Sequence, residues 1–158
     1  MRYINFDDTD PVAADQLYMR EALKEAIIAL EQDEVPVGAI ITCQNRIIAR
    51  SHNLSEQLND VTAHAEMQSF TAASNFIGGK YLKDCTLYVT LEPCIMCAGA
   101  AFWTQIGRIV FGARDPKGGY MRLDRNILHP RTETVSGVLE EECSALLKTF
   151  FQKKRSKI

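Results

Sequence analysis

Hydrophobic residues recur with a helical period in four segments of the chain. From about Pro11 to Leu30 they return every three or four positions, which predicts an amphipathic first helix. The same spacing predicts three further helices, over 63–75, 95–103 and 140 to about 154. Gly78 and Gly79 are typical of a helix end and close the second of these helices.

Short apolar runs between the helices predict β-strands. Such runs span 35–41, 47–49, 86–91 and 108–112, and a short extended segment begins at Val135. The first two runs flank a polar turn and predict a hairpin, whereas the next two are joined through a helix and predict parallel neighbours. The order of elements predicts an α/β fold, a three-layer α/β/α sandwich with a central mixed five-stranded sheet. We expect a single domain over residues 1–158.

Composition narrows the class of protein. Hydrophobic residues make up 46% of the chain and charged residues 24%, which is typical of globular proteins. No apolar run approaches the roughly 18 residues of a membrane span, and the acidic start differs from a signal peptide. We therefore expect a cytoplasmic protein without membrane contact. Five cysteines, an odd number, argue against a disulfide framework.

The net charge of −2 conceals an uneven distribution of charged residues. Residues 1–34 carry nine acidic and three basic side chains, whereas residues 108–131 carry six basic and two acidic ones. The last eleven residues carry five basic side chains and no acidic one. A basic half is a candidate phosphate-contacting surface. Lysines at a helix end also complement the helix dipole, so charge alone leaves both interpretations open.

Two short motifs carry the strongest chemical signal. His64-Ala65-Glu66 and Pro93-Cys94-Ile95-Met96-Cys97 together supply one imidazole, two thiols and one further carboxylate. Structural zinc is closed by four protein ligands, whereas catalytic zinc keeps three and leaves one position for water. The pattern H-x-E followed by P-C-x-x-C is also the signature of zinc nucleobase deaminases. We therefore predict that His64, Cys94 and Cys97 bind a catalytic zinc ion and that Glu66 transfers protons.

The predicted helices suit this assignment. A helix beginning near residue 63 directs Glu66 away from the metal, and Pro93 fits the first turn of the next helix. Cys94 and Cys97 then lie one turn apart at the positive end of that helix, which favours thiolates. A C-x-x-C pair by itself also fits a redox pair or half of a structural zinc site. Five more residues stay open as a fourth ligand: Cys43, Cys85, Cys143, His52 and His129.

Beyond these motifs, the chain resembles the cytidine deaminase-like superfamily and, within it, the bacterial tRNA adenosine deaminases. The resemblance covers 34–39, 62–66, 87–100 and 111–115, and resumes at 137–139 and 150–151. It implies a zinc-dependent homodimer that converts adenosine to inosine at the wobble position of a tRNA anticodon. A free nucleobase deaminase, such as guanine deaminase, is the alternative. A zinc-stabilised interaction module without catalysis would have no use for Glu66.

The resemblance also implies substrate contacts. Asn53 matches a residue that hydrogen-bonds the base, Val37 one that packs against it, and Asp115 one that contacts the ribose. Four residues match the helix end that such enzymes lay against the anticodon stem-loop: Phe150, Phe151, Lys154 and Arg155. By their own patterns, Asn53 and Asp115 are equally typical of turns. Val37 and the two phenylalanines are equally typical of a core.

Residues 117–128 depart from the family pattern, which usually has a loop of Lys, Gly, Ala and Ser here. We expect this loop to lie beside the substrate, within a longer irregular segment over 115–132. Tyr120, Arg122 and Arg125 either stack on and pair with RNA or close a small pocket over a free base. The loop therefore leaves the choice between the two substrates open.

Overall fold

A computed structural model describes residues 10–157 of the chain. Within this range the elements follow in the order α1 (Pro11–Glu31), β1 (Gly38–Cys43), β2 (Arg46–His52), α2 (Ala65–Ile77), β3 (Cys85–Leu91), α3 (Ile95–Thr104), β4 (Arg108–Ala113), β5 (Glu133–Ser136) and α4 (Glu140–Arg155). A 3₁₀ turn covers Tyr120–Arg122. Most of the acidic start that argues against a signal peptide lies outside the described residues.

The strands form one sheet in the order β2-β1-β3-β4-β5. β1 pairs antiparallel with β2 and β3, and β4 pairs parallel with β3 and β5. The predicted hairpin, the predicted parallel pair and the mixed five-stranded sheet are thereby confirmed. Because β3 and β4 are parallel, their carboxyl ends lie at the same edge of the sheet, and α3 begins there.

Helices cover both faces of the sheet, as the three-layer prediction requires. Successive strand residues point to opposite faces. Ile41, Leu87 and Ile109 therefore pack into a core with α2 and α3. The neighbouring residues Ile40, Tyr88 and Val110 pack instead against α1 and α4. In the described part of the chain, no helix is both long and apolar enough to cross a membrane.

The structure corrects the predicted start of α2 and the predicted place of Pro93, whereas α3 begins at Ile95 as predicted. α2 begins at Ala65, not near residue 63, and His64 is its N-cap in an extended conformation. α3 begins at Ile95 with Cys94 as its N-cap, so Pro93 precedes the helix and does not lie in its first turn. Proline favours extended backbone at the residue before it, which keeps Glu92 out of the helix.

Strand boundaries also shift. β1 begins at Gly38, not Val35, because α1 packs closely against this point. A Cβ at Gly38 would lie 2.9 Å from the Glu25 Cβ and would clash with the backbone of α1. The hairpin turn consists of Gln44 and Asn45, whose φ angles of 52° and 60° are typical of a type I′ turn.

The sides of α1 depart from the simple amphipathic pattern that the spacing predicts. Ile27 is 42% exposed, whereas the acidic residues Glu21 and Glu25 face β2. The Glu21 carboxylate lies 2.7 Å from Nη2 of Arg50, and the Glu25 carboxylate lies 2.9 Å from Nδ1 of His52. Glu21 and Glu25 therefore face the sheet because they pair with Arg50 and His52 on the edge strand. Helical periodicity alone does not predict these contacts.

Candidate active site

His64, Cys94 and Cys97 converge where α2 and α3 begin. Nδ1 of His64 lies 3.6 Å from the Sγ atom of each cysteine, and the three ligand atoms lie within 4.8 Å of one another. A tetrahedral zinc centre with ordinary bond lengths separates nitrogen from sulfur by about 3.6 Å. The distances from His64 to Cys94 and to Cys97 therefore already match those of a zinc centre.

The local chemistry of this cluster suits a cation. Hydrogen bonds with Cys97 and His64 lower the pKa of the Cys94 thiol to about 4. The hydrogen bond with Cys94, together with burial, raises the pKa of Cys97, and the hydrogen bond with Cys94 also raises the pKa of His64. These contacts favour the thiolate form of Cys94, which is the form that binds metal ions.

Within residues 10–157 the cluster contains three candidate ligands and no fourth. His52 is bonded to Glu25 and Gln32, and Cys143 lies in the core on the opposite face of the sheet. Cys43 and Cys85 are partners across β1 and β3, at the end of β3 remote from Cys94. Three ligands leave one position open, as in catalytic zinc sites.

Glu66 lies in the first turn of α2 beside the cluster. It is only 4% exposed, and burial raises the pKa of its carboxyl group. Its side chain contacts the Cys97 thiol and lines the same cavity as His64. A carboxyl group whose pKa is raised toward neutrality can both accept and donate a proton.

The cavity next to the cluster has a volume of about 220 Å³. The predicted substrate contacts Val37, Asn53 and Asp115 all line it, although they come from distant parts of the chain. The full lining combines apolar walls with a few polar groups: Val35, Val37, Asn53, Ser55, His64, Ala65, Glu66, Leu91, Glu92, Cys94 and Asp115. Such a lining is typical of small-molecule sites.

Sequence reasoning missed Glu34, which supports one wall of this cavity. Its carboxylate is 1% exposed and accepts hydrogen bonds from the backbone N–H groups of Gln57 at 2.6 Å and Glu56 at 3.1 Å. It also accepts one from Nδ2 of Asn53 at 3.4 Å. The only signal in the sequence that could have indicated this role is the position of Glu34, an acidic residue directly before the apolar run over 35–41.

Glu92, also missed, is itself part of the cavity lining. It is buried and accepts hydrogen bonds from the backbone N–H groups of Asp115 at 3.2 Å and Met121 at 3.0 Å. Gly119 forms an isolated bridge with Cys94, and a Cβ at Gly119 would overlap the Glu92 carboxylate. The loop that departs from the family pattern is thus held directly against a candidate ligand.

The loop residues do not all face solvent. Tyr120 is 5% exposed and packs edge-on against Phe111, so of the two alternatives that the sequence leaves open for this residue, its ring is not available to stack on RNA. Arg122 and Arg125 are exposed. Asp115 lines the cavity. Its carboxylate also accepts hydrogen bonds from the backbone N–H groups of the two residues after Pro116, so Asp115 stabilises a turn as well.

The end of α4 lies near the cavity. Phe150 is buried, but Phe151 is 46% exposed, so only the first belongs to the apolar side of the helix. Nζ of Lys154 lies 2.7 Å from Oδ2 of Asp33 and 5.4 Å from the centre of the Phe150 ring. Phe150 and Lys154 line a groove that shares Val35 with the cavity, and Arg155 is exposed nearby along the helix.

Known proteins are similar to this chain in sequence and in fold. Residues 13–155 match the MafB19-like deaminase family. A tRNA-specific adenosine deaminase of Bacillus subtilis (strain 168) is 49% identical over 148 residues, which are 90% of this chain and 92% of the relative. A structure from studies of A-to-I editing by tRNA:A34 deaminases has a TM-score of 0.78 at 43% identity, covering 83% of this chain and 99% of that chain.

A guanine deaminase of Bacillus subtilis is also similar, with a TM-score of 0.60 at 33% identity. That match covers 63% of this chain and 64% of the other. Both sets of relatives are deaminases, which agrees with the fold and with the chemistry of the cavity. The chain belongs to the MafB19-like deaminase family. The predicted resemblance to the tRNA adenosine deaminases is confirmed.

Proposed function

We propose that this protein hydrolyses adenosine to inosine at the wobble position of a tRNA anticodon, with release of ammonia. The observation that carries the proposal is one small cavity in which a His–Cys–Cys cluster, Glu66 and Asn53 meet. The chain around that cavity is 49% identical to a tRNA-specific adenosine deaminase.

His64, Cys94 and Cys97 would hold a zinc ion, and the 3.6 Å separations support this choice. A bound zinc ion supplies a Lewis acid that makes water a competent nucleophile near neutral pH. The protein's own contribution is a low-dielectric site in which Val37 and Leu91 exclude bulk solvent from the base.

Glu66 moves the protons in this proposal. Its carboxylate takes one proton from the attacking water and delivers it to ring nitrogen N1 of adenine. It then takes the second proton from the hydroxyl group added at C6 and delivers it to the amine, which leaves as ammonia. Asn53 orients the base by hydrogen bonding, and Asp115 contacts the ribose. A cavity of about 220 Å³ suits one base withdrawn from its stack, a state that an anticodon loop provides at low cost.

The surrounding surface would bind the anticodon stem-loop. Phe150, with Lys154, lines the groove that adjoins the cavity, and Phe151 and Arg155 are exposed on the same helix end. Arg122 and Arg125 are exposed on the loop that Glu92, a residue of the cavity lining, holds in place. Aromatic and cationic groups of this kind stack on unpaired bases and contact phosphates.

We further propose a cytoplasmic homodimer. α3 leaves Ile95, Phe102 and Trp103 exposed at helical spacing, the last by 76%, and such faces mark interaction sites. Trp103→Asp should convert a dimer to a monomer in sedimentation equilibrium, whereas Phe151→Asp, an exposed aromatic on α4, should leave the dimer intact. A wild type that sediments as a monomer at micromolar concentration contradicts the dimer. Cell fractionation checks the compartment.

Parallel incubation of the purified protein with total tRNA, guanine, adenine and cytosine tests the activity. Nucleoside analysis should detect inosine in the tRNA, and the free bases should release no ammonia. The partial match to guanine deaminase is the reason for the guanine reaction. Ammonia from guanine together with unmodified tRNA would replace this proposal by the free-base alternative.

A further inference from the structure

Glu34 is a buried carboxylate that no step of the proposed reaction uses. It lies between α1 and β1, lines the groove beside α4, and is hydrogen-bonded to Asn53, which lines the substrate cavity. Among residues 10–157 it has hydrogen-bond donors but no cation within ion-pair distance. Burial of a carboxylate is costly unless it is well hydrogen-bonded, so these donors determine what the group can do.

The three donors all come from the segment that follows β2. The N–H groups of Gln57 and Glu56 lie 2.6 and 3.1 Å from the two carboxylate oxygens and fix the backbone of this segment. Nδ2 of Asn53 donates at 3.4 Å to the same oxygen as Glu56. One buried group therefore holds both a wall of the cavity and the side chain predicted to bind the base.

Both carboxylate oxygens of Glu34 accept a hydrogen bond from a backbone N–H group, so Glu34 acts as an acceptor toward this segment. The amide nitrogen of Asn53, which is the donor end of its side chain, therefore faces Glu34. The oxygen in turn accepts a hydrogen bond from the backbone N–H of Ser55 at 3.4 Å. Both contacts favour the same amide orientation, which leaves the second N–H of the amide and one oxygen lone pair for a ligand.

We infer that Glu34 is a positioning residue for the substrate base. Glu34 fixes the orientation of the Asn53 side-chain amide. It thereby determines where the amide presents its hydrogen-bond donor and where it presents its acceptor to the base. This inference rests on the proposed function for the identity of the ligand. The orientation of Asn53 follows from the contacts alone.

The test uses Glu34→Gln, which keeps the volume of the side chain but offers an NH₂ group as well as an oxygen. Both orientations of Asn53 then become possible. We expect KM for a wobble-adenosine stem-loop to rise about tenfold, as for the loss of one hydrogen bond, with kcat changed much less. Glu31→Gln, an exposed acid at the end of α1, is the matched control and should change neither constant.

A double-mutant cycle separates positioning from a merely structural role. If Glu34 acts through Asn53, Glu34→Gln should add little to the KM effect of Asn53→Ala. Additive effects of the two substitutions would overturn the inference. Zinc content and thermal unfolding of each variant show whether the fold is retained. If Glu34→Gln does not fold, Glu34→Asp takes its place, since the shorter acid cannot reach Asn53 equally well.

A nuclear magnetic resonance measurement tests the same contact without activity. The side-chain amide resonances of Asn53 should shift in Glu34→Gln and stay unchanged in Glu31→Gln. Unmoved resonances overturn the inference, whatever the enzyme does to tRNA. A shift in a protein that deaminates no tRNA would leave the positioning of Asn53 intact and remove the proposed function instead.

Discussion

Glu66 combines deep burial with contact to the ligand cluster, and this combination underlies its proposed part in proton transfer. Glu66→Gln keeps the shape of the side chain but removes the ionisable group. We expect tRNA deamination to fall by about 10²–10⁴-fold, because that is the usual contribution of a general acid–base group. Single-turnover kinetics measure the loss.

The matched control is Glu141→Gln, an exposed acid in the first turn of α4, which should keep full activity. Zinc content should be normal in both variants. If Glu66→Gln lost its zinc, Glu66 would be a ligand, and the centre would be closed and not catalytic.

The cysteines make a second prediction possible, because the chain has buried cysteines outside the cluster. Cys94→Ala should release the metal and abolish activity, since two ligands do not retain zinc. Cys143→Ala removes a thiol from the core on the opposite face of the sheet and should keep about one zinc ion per chain. Elemental analysis of the purified variants measures both. Equal zinc content in the two variants is incompatible with the proposed ligands.

At the scale of elements, the loop after β4 depends on a glycine. A Cβ at Gly119 would overlap the Glu92 carboxylate and lie 2.6 Å from the backbone oxygen of Asp115. Gly119→Ala should therefore displace the loop, reduce activity and lower the free energy of unfolding by about 1–3 kcal/mol, as overpacking usually does. Urea unfolding, read beside the deamination rate, measures these effects.

Gly79→Ala is the control, because a Cβ at Gly79 meets nothing within 4 Å. It should change the free energy of unfolding by no more than about 0.5 kcal/mol. If Gly119→Ala and Gly79→Ala had the same free energy of unfolding and the same deamination rate, the loop would accommodate a Cβ at position 119 without cost, and Glu92 would not hold it in place.

Local pattern predicted the elements well, and tertiary contacts explain where it did not. Periodicity predicted four helices and a mixed sheet, and motif spacing identified the three ligand candidates. Neither periodicity nor motif spacing shows which distant segments of the chain come into contact in the fold. For this reason Glu34 and Glu92 escaped notice, since each is recognisable only once its backbone donors from other loops are in place.

The same cause decides two residues for which the sequence left alternatives open. The ring of Tyr120 packs against Phe111 because Glu92 and Cys94 hold the loop close to the sheet. Phe150 and Phe151 are both typical of a core by their spacing, but only Phe150 is covered. A helix that is packed on one side near its end leaves the adjacent residue exposed.

At the scale of the whole molecule, the basic residues at the end of α4 allow an experiment that distinguishes RNA from a free base as the substrate. Lys153, Lys154, Arg155 and Lys157 follow one another at the end of α4, in a chain of net charge −2. Replacing all four with Ala should weaken tRNA binding and flatten its salt dependence, because each lost phosphate contact reduces the log–log slope by about 0.7–0.9. Lys154 already pairs with Asp33 and should contribute least.

Lys80→Ala with Lys83→Ala is the control for lost positive charge. These exposed lysines precede β3, at the end of that strand remote from Cys94, and should leave the salt slope unchanged. Fluorescence anisotropy over a series of salt concentrations measures both variants. An unchanged slope in the fourfold variant would remove the end of α4 from the RNA surface.

The central claim is that one adenosine, at the wobble position, enters the cavity. The most direct measurement compares two anticodon stem-loops of equal composition, one with adenosine at the wobble position and one with that adenosine moved by a single nucleotide. The account predicts inosine at the wobble position and almost none in the shifted loop. Equal conversion of the two loops, or ammonia release from guanine with neither loop converted, would contradict it.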